Sequence, residues 1–270
     1  MTWDFLATAT EAALQAGVLQ KERYGQPHQV EKKGEINIVT DVDKACEALI
    51  LSLIRERFPD HDIVAEESLL ARTGSPYVWY VDPLDGTTNF AHGYPFFCVS
   101  IALARGEEVI AGAVYDPVKE ELFTAERGGG AHLNGRRMQV TATEALIDAL
   151  LVTGFPYDLR TDVFEALRVF YRFMSEARAI RRDGAAALDL AYVAAGRTDG
   201  FFEERLHPWD ILAGGLMVEE AGGRVSRFDG SPLLLSAESI VACGPRLHPR
   251  MLEVLRDLGQ NPEKGRPAAR

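Results

Sequence analysis

The stretch YVWYVDPLDGTTNF, residues 77–90, is a β-type apolar run that ends in two aspartates three positions apart, Asp82 and Asp85. A carboxylate at the end of an apolar run is costly unless water, a hydrogen-bond donor or a cation receives it. Pro83 fixes the turn, and Gly86, Thr87 and Thr88 are placed to open a short helix with free backbone N–H groups. A hard cation on the aspartates and a phosphate on those N–H groups then share one site. Taken by itself, the segment also fits a turn that binds nothing.

Three more acidic features lie outward from this stretch: Glu66 and Glu67 after IVA, Asp210 in HPWDILAGG and Asp43 in IVTDVDK. Singly, each has an ordinary reading. A glutamate pair after a strand is usually solvated, and an aspartate opening a helix usually caps it, which applies to Asp43 and to Asp210. Together they form an oxygen-only donor set, and carboxylates without Cys or His select Mg²⁺, Mn²⁺ or Ca²⁺ over zinc. Phosphate chemistry favours magnesium, and four or five carboxylates suit two or more ions. Such ions lower the pKa of a water and stabilise charge on the leaving oxygen.

The surroundings read as mixed α and β. Apolar residues spaced at three and four predict a helix from about Trp3 to Tyr24. A loop over 25–34 and an extended piece at 37–40 follow, then a second helix opening at Asp43 and ended by Pro59. From Ile63, the runs IVAEE, YVWYVD, FFCVSIALA, VIAGAVYD and ELFTAE read as strands of a sheet packed on those helices. GGGAHLNG at 128–135 reads as a loop with a turn rather than a phosphate loop, because strand-like runs flank it. From Leu150, strand-like and helical pieces alternate. The expected parts are 1–142, 143–258 and a frayed tail at 259–270. No Ser- or Pro-rich linker divides the first two, so they are expected to share an interface.

With 270 residues, 47% of them hydrophobic, the chain is long enough for a large core. A net charge of −11 repels nucleic acid and anionic membrane surfaces, so neither is an expected ligand. It also repels a phosphorylated substrate, so phosphate chemistry here needs cations beside the reacting group. Cys46, Cys98 and Cys243 are far apart and form no CxxC pair, which argues against disulfides and thiolate metal sites and fits a reducing cytoplasm. No stretch reaches the roughly 18 apolar residues of a spanning helix.

VAEES (64–68), DPLDGTTNF (82–90) and HPWDILAGGLMVEEAGG (207–223), in this order with INIVTDVDKACE upstream, resemble the metal-binding signatures of the inositol monophosphatase family. The resemblance implies a layered αβαβα sandwich of the sugar-phosphatase type and a homodimer. It also implies Mg²⁺-dependent hydrolysis of a small phosphorylated polyol, inositol 1-phosphate first, by a metal-activated water without a covalent phosphoenzyme. Two or three Mg²⁺ per site and sensitivity to lithium come with it. Glu66, Asp82, Asp85 and the Leu84 carbonyl would hold the first metal region, and Asp85 with Asp210 a second. Glu67 would be an outer member, and Lys32 a lysine near the metal loop. Asp43, Thr87 and Glu66 would orient the attacking water, and Gly86 and Thr87 would cradle the phosphate. Gly184, Ala185 and Ala186, with Asp183 as their helix cap, would wall the polyol, and Glu203 would bond its hydroxyls.

Two departures fall on the substrate side: Ala185 stands where many relatives carry a hydroxyl, and Pro208 where some carry a thiol. A fructose-1,6-bisphosphatase or another small phosphomonoesterase of the family is the nearest alternative. A bisphosphate needs a second anion site, for which Arg160, Arg181 and Arg182 are candidates. An interaction protein acting on transcription machinery is the alternative of another class, and the intact acidic set argues against it.

Overall fold

Asp4 begins the fold by accepting the Ala7 N–H at 3.0 Å, which caps helix α1 (Phe5–Arg23). The computed structural model describes residues 4–156, 163–236 and 239–260. A short hairpin, β1 (Val30–Lys32) and β2 (Ile38–Thr40), follows; β1 lies within the stretch expected as a loop. Helix α2 (Asp41–Arg57) starts two residues before the expected Asp43, because Thr40 is its cap. Asp43 sits at the third helical position and accepts the Thr40 N–H at 2.9 Å, completing a capping box.

Seven strands then form one sheet in chain order: β3 (Asp62–Ala65), β4 (Tyr77–Asp85), β5 (Cys98–Arg105), β6 (Glu108–Asp116), β7 (Glu121–Glu126), β8 (Gly130–Leu133) and β9 (Arg136–Arg137). Only β3 and β4 pair in parallel. Between β4 and β5 lies the short helix α3 (Thr87–Ala91). The stretch 128–135 is not all loop, as expected from its glycines, but carries β8. Asn134 (φ 48°) and Gly135 (φ 77°) turn it into β9 with the left-handed backbone that tight hairpins use.

After a 3₁₀ turn at Leu146–Asp148, the chain lays down β10 (Leu150–Thr153), α4 (Val163–Glu176), β11 (Ala179–Arg181), α5 (Ala186–Ala194), β12 (Gly200–Glu204), α6 (Pro208–Glu220), β13 (Arg224–Ser226), β14 (Ser239–Cys243) and α7 (His248–Gln260). The second sheet runs β11-β10-β12-β14-β13. β10 is parallel to both neighbours, and β14 is antiparallel to both of its own.

Alternation along the strands sets the layers. Trp79, Val81, Val99 and Ile101 face α1 and α2, where Ala9, Ala13, Cys46 and Ile50 are buried. Val78, Tyr80 and Ala102 face the other way, onto α5 and α6. In the second sheet, Val152, Phe201 and Ile240 meet those same helices, while Leu151, Phe202 and Val241 meet Phe173 of α4 and Met251 of α7. The order is therefore helix pair, sheet, helix pair, sheet, helix pair, an αβαβα sandwich. Each large side chain buried in these layers contributes about 1.5–3 kcal/mol. Gly112 lets the shared layer close in, since a Cβ there would lie 3.1 Å from Ala213 Cα of α6.

The expected division at 142/143 falls between β9 and the 3₁₀ turn, where the chain passes from one sheet to the other. Helices α5 and α6 come from beyond it yet pack on the first sheet, so the two parts share their middle layer. The expected tail starts late, because α7 runs through Gln260; residues 261–270 lie outside the described residues, as does Arg160. Among the described residues, no helix is long and apolar enough to cross a membrane.

Candidate active site

The pairing of β4 with β5 slips between Asp82, opposite Ser100, and Asp85, opposite Cys98. The extra residue makes a bulge between the two paired aspartates. Asp82 accepts the Leu84 N–H at 2.9 Å, which fixes the turn around Pro83. Gly86 caps α3 in the left-handed region (φ 92°). A Cβ there would meet the Phe96 carbonyl oxygen at 3.0 Å and Phe97 Cα at 3.2 Å. Gly86→Ala should therefore cost about 2 kcal/mol or more, from the left-handed backbone and the backbone clash together. Denaturant unfolding of the two proteins measures it.

Buried Thr87 points its hydroxyl at Asp43 Oδ1 (2.8 Å) and at the Leu84 carbonyl (3.0 Å). The other carboxylate oxygen of Asp43 is held by the N–H and hydroxyl of Thr40. Asp43 is thus fully buried and joined to both the α2 capping box and the first turn of α3. Burial pushes its carboxyl above the usual range, against the hydrogen bonds from Thr40 and Thr87.

Three elements deliver the acids. Glu66 follows β3, Asp82 and Asp85 end β4, and Asp210 lies in the first turn of α6, where it accepts the His207 N–H at 2.6 Å. Asp210 therefore serves as the partner of the residue before the helix and is not itself the N-cap. Burial, then the charges of Glu66, Asp85 and Asp210, raise Asp82 well above the usual carboxylate range. Burial and the neighbouring Asp85 do the same for Asp210. Burial pushes Asp85 up to about 7, against hydrogen bonds from the start of α5.

Protein donors hold these acids. Lys33 Nζ reaches Glu66 Oε1 at 2.7 Å and Glu67 Oε1 at 2.5 Å, and the Ala187 N–H reaches Asp85 Oδ2 at 2.7 Å. Among the described residues, no three acidic, histidine or cysteine side chains close on one point as a ready ligand cage. The donor chemistry nevertheless fits a hard divalent cation: several buried oxygens repel one another and lack enough positive charge. The nearest soft atom, Cys98 Sγ, donates as a thiol to Asp85 at 3.8 Å, and burial raises its pKa well above the usual range, so it offers no thiolate.

Around this centre, Lys32 is exposed on β1, and its neighbour Lys33 is the lysine on the acidic pair. Burial pushes Glu67 up to about 7 despite Lys33. Gly184 (φ 88°) and buried Ala185 lead into α5, which Ala186 opens. Asp183 is not the cap of that helix; Ala185 holds the position and supplies no side-chain bond. Pro208 occupies the first position of α6, where a missing N–H costs nothing. Glu203 is buried in β12 rather than solvated. Gly154 makes room for it, since a Cβ there would fall on its carboxylate. Burial, then the charge of Asp85, pushes Glu203 up to about 8. Arg182 and Arg181 are exposed, and Arg181 bonds the Ile180 carbonyl at 3.2 Å.

A folded-state carboxyl raised above its unfolded value keeps a proton that the unfolded chain releases, so stability is lost as pH rises through the folded pKa. With Glu203 near 8 and Asp85 near 7, the metal-free protein should lose melting temperature steadily from pH 5 to pH 8. Thermal melts in chelator test this, and a flat profile contradicts it.

Besides Lys33, two residues of the site carry no signal that the sequence reading used. Asn89 donates through Nδ2 to the carbonyls of Phe96 (2.7 Å) and Asp183 (2.8 Å), tying α3 to the loop before α5. Glu47, one helical turn beyond Asp43 and 2% exposed, accepts the Glu67 N–H at 2.8 Å and the Ser68 hydroxyl. Helix α2 thereby fixes both the Thr87 hydroxyl and the loop that carries Glu66. Glu47→Ala leaves two donors without their partner and should cost about 2–3 kcal/mol. It should also raise the divalent-ion concentration needed for half-saturation; denaturant unfolding and ion titration measure the two effects.

The profile of the inositol monophosphatase family matches residues 3–260. The inositol-1-monophosphatase of Synechocystis sp. (strain ATCC 27184 / PCC 6803 / Kazusa) is 44% identical over 94% of this chain and 88% of its own length. The Nus factor SuhB of Escherichia coli (strain K12) is 46% identical over 93% of this chain and 96% of its own. The inositol monophosphatase structure from Anabaena (Nostoc) sp. PCC 7120 superposes with a TM-score of 0.86 at 42% identity, covering 94% of this chain and 95% of that one. Fold and comparisons together define a phosphatase. The chain belongs to the inositol monophosphatase family.

Proposed function

We propose that this chain is a Mg²⁺-dependent phosphomonoesterase that hydrolyses a small phosphorylated polyol, inositol 1-phosphate foremost, to the free polyol and phosphate. The observation that carries the reading is the Thr87–Asp43 hydrogen bond at 2.8 Å, set between the buried carboxylates and the first turn of α3. Glu66, Asp82, Asp85, Asp210 and the Leu84 carbonyl are the groups that would hold two or three Mg²⁺ ions. Such ions supply positive charge for the phosphate and a lowered pKa for water.

The chain's own residues do the rest. Asp43 accepts from the Thr87 hydroxyl and leaves the Thr87 oxygen free to accept a hydrogen bond from an attacking water, so the pair orients that water. Gly86 and Thr87 present first-turn N–H groups to the phosphate. Glu203 and the start of α5, from Gly184 to Ala186, face the polyol, and the Glu203 carboxyl can bond a hydroxyl. The same reading carries inhibition by lithium, assembly as a homodimer and a cytoplasmic setting; three free buried thiols support the last.

The test is phosphate release from inositol 1-phosphate, fructose 1,6-bisphosphate, histidinol phosphate and adenosine 3′,5′-bisphosphate, ranked by kcat/KM. A first rank for inositol 1-phosphate is expected, and a preference for a bisphosphate moves the assignment to the fructose-1,6-bisphosphatase branch. A second reading, an interaction role on transcription machinery, is supported by the 46% identity to a protein named a Nus factor. Silence across the panel from folded, Mg²⁺-supplied protein would put that role first.

A further inference from the structure

Helix α5 lacks a cap of its own. Its N-cap residue is Ala185, which has no side-chain acceptor, and Asp183 makes no capping bond. The first-turn N–H groups of a helix must find acceptors elsewhere when they are buried, and Ala185, Ala187 and Leu188 are all buried. The acceptor comes from the other sheet's strand: Asp85 Oδ2, 102 positions away in sequence, takes the Ala187 N–H at 2.7 Å.

We infer that Asp85 supplies the capping acceptor that the N-cap residue Ala185 lacks, across the layer from the end of β4, so that one carboxylate both builds the polyol wall and serves the metal site. This rests on the proposed metal reading only for its second half; the capping half stands on the geometry alone. Asp85 has two oxygens, and the helix occupies Oδ2. Its orientation, and with it the Oδ1 left for a cation, is set by the position of α5. Conversely, the wall from Gly184 to Ala187 is pinned by a group that belongs to the metal centre. Ala185 is the reason for the arrangement, because a hydroxyl at that position would cap the helix locally, as serine and threonine do. Asp85 is therefore a positioning residue for the wall in addition to a candidate ligand.

The experiment uses the full chain in chelator, and reads amide hydrogen exchange over residues 186–191. Asp85→Ala should speed exchange of these amides roughly fivefold to tenfold, the loss of one cap. Asp82→Ala, which removes a neighbouring acid without any bond to α5, should leave them unchanged. Adding Ala185→Ser to Asp85→Ala should restore slow exchange while Mg²⁺ binding, measured by calorimetry, stays lost. Equal exchange in wild type and Asp85→Ala, equal acceleration by Asp82→Ala, or no recovery with Ala185→Ser would overturn the inference. Should Asp85→Ala unfold, wild type against Ala185→Ser alone decides: exchange of Ala187 should stay unchanged, because Asp85 already holds that N–H, and a roughly fivefold or greater slowing would show it uncapped in the wild type and refute the inference. Absence of Mg²⁺ binding by the wild type would instead defeat the metal reading and leave the exchange result standing.

Discussion

Asp82→Asn should lower Mg²⁺-dependent phosphate release by about 10³-fold or more, near 4 kcal/mol of transition-state stabilisation, while making the metal-free protein more stable at pH 8. Both effects have one cause. Asp82 is 2% exposed and lies among Glu66, Asp85 and Asp210, whose charges add to burial in opposing its ionisation. Without a cation, that arrangement costs stability whenever Asp82 ionises. Asparagine keeps the acceptor for the Leu84 N–H and carries a permanent donor toward Glu66 in place of a shared proton. The melting temperature of metal-free variant should rise by about 2–4 °C at pH 8, equivalent to about 1 kcal/mol for a chain of this size. Added Mg²⁺ should raise the wild-type melting temperature strongly and the variant's little. A variant that melts below wild type in chelator contradicts the electrostatic account.

Asp43→Asn should reduce kcat by about 10²- to 10⁴-fold, the range of a lost acid–base or water-orienting group, with little change in Mg²⁺ affinity by calorimetry. The separation follows from the hydrogen-bond directions. Thr87 donates to Asp43 Oδ1, so its oxygen is available to accept from water. The other acceptor, Asp43 Oδ2, already takes two donors from Thr40, which fixes which end of an asparagine amide faces where. The amide oxygen stays on Thr40 and the amide nitrogen faces Thr87. Thr87 must then turn its proton to the Leu84 carbonyl, 3.0 Å away, and accept from the asparagine. One of the two lone pairs of the Thr87 oxygen is then taken by the asparagine and the hydroxyl is turned, so the water loses its orientation, yet none of the metal-site carboxylates has changed. Equal losses in kcat and in Mg²⁺ affinity would place Asp43 in the metal set instead.

The turn at 82–90 was legible because its chemistry is local: an apolar strand, Pro83, two aspartates and a glycine whose positive φ is needed where β4 becomes α3. The layered arrangement followed from the resemblance and not from the spacing of apolar residues, which reads only as mixed α and β. Short strands such as β11 and β13 escaped notice because three residues carry little periodic signal. What the sequence hid at the site are contacts across layers. Glu47 looks like a solvated helix residue until α2 packs beside the loop at 66–68. Lys33 and Lys32 are indistinguishable in sequence until β1 ends at Lys32 and the chain just beyond it brings Lys33 to Glu66 and Glu67. Asp183 is the natural local cap for α5, and only the stacking of β4 against that helix shows that Asp85 takes its place.

This acidic site should hydrolyse a phosphomonoester only when a divalent cation is present. Wild-type protein, freed of metal by chelation and shown by circular dichroism to be folded, is incubated with inositol 1-phosphate, and phosphate release is followed as Mg²⁺ is added. Release should be at background in chelator, rise with Mg²⁺ and fall back when chelator is restored. Release that persists in chelator, or none from folded protein at saturating Mg²⁺, contradicts it.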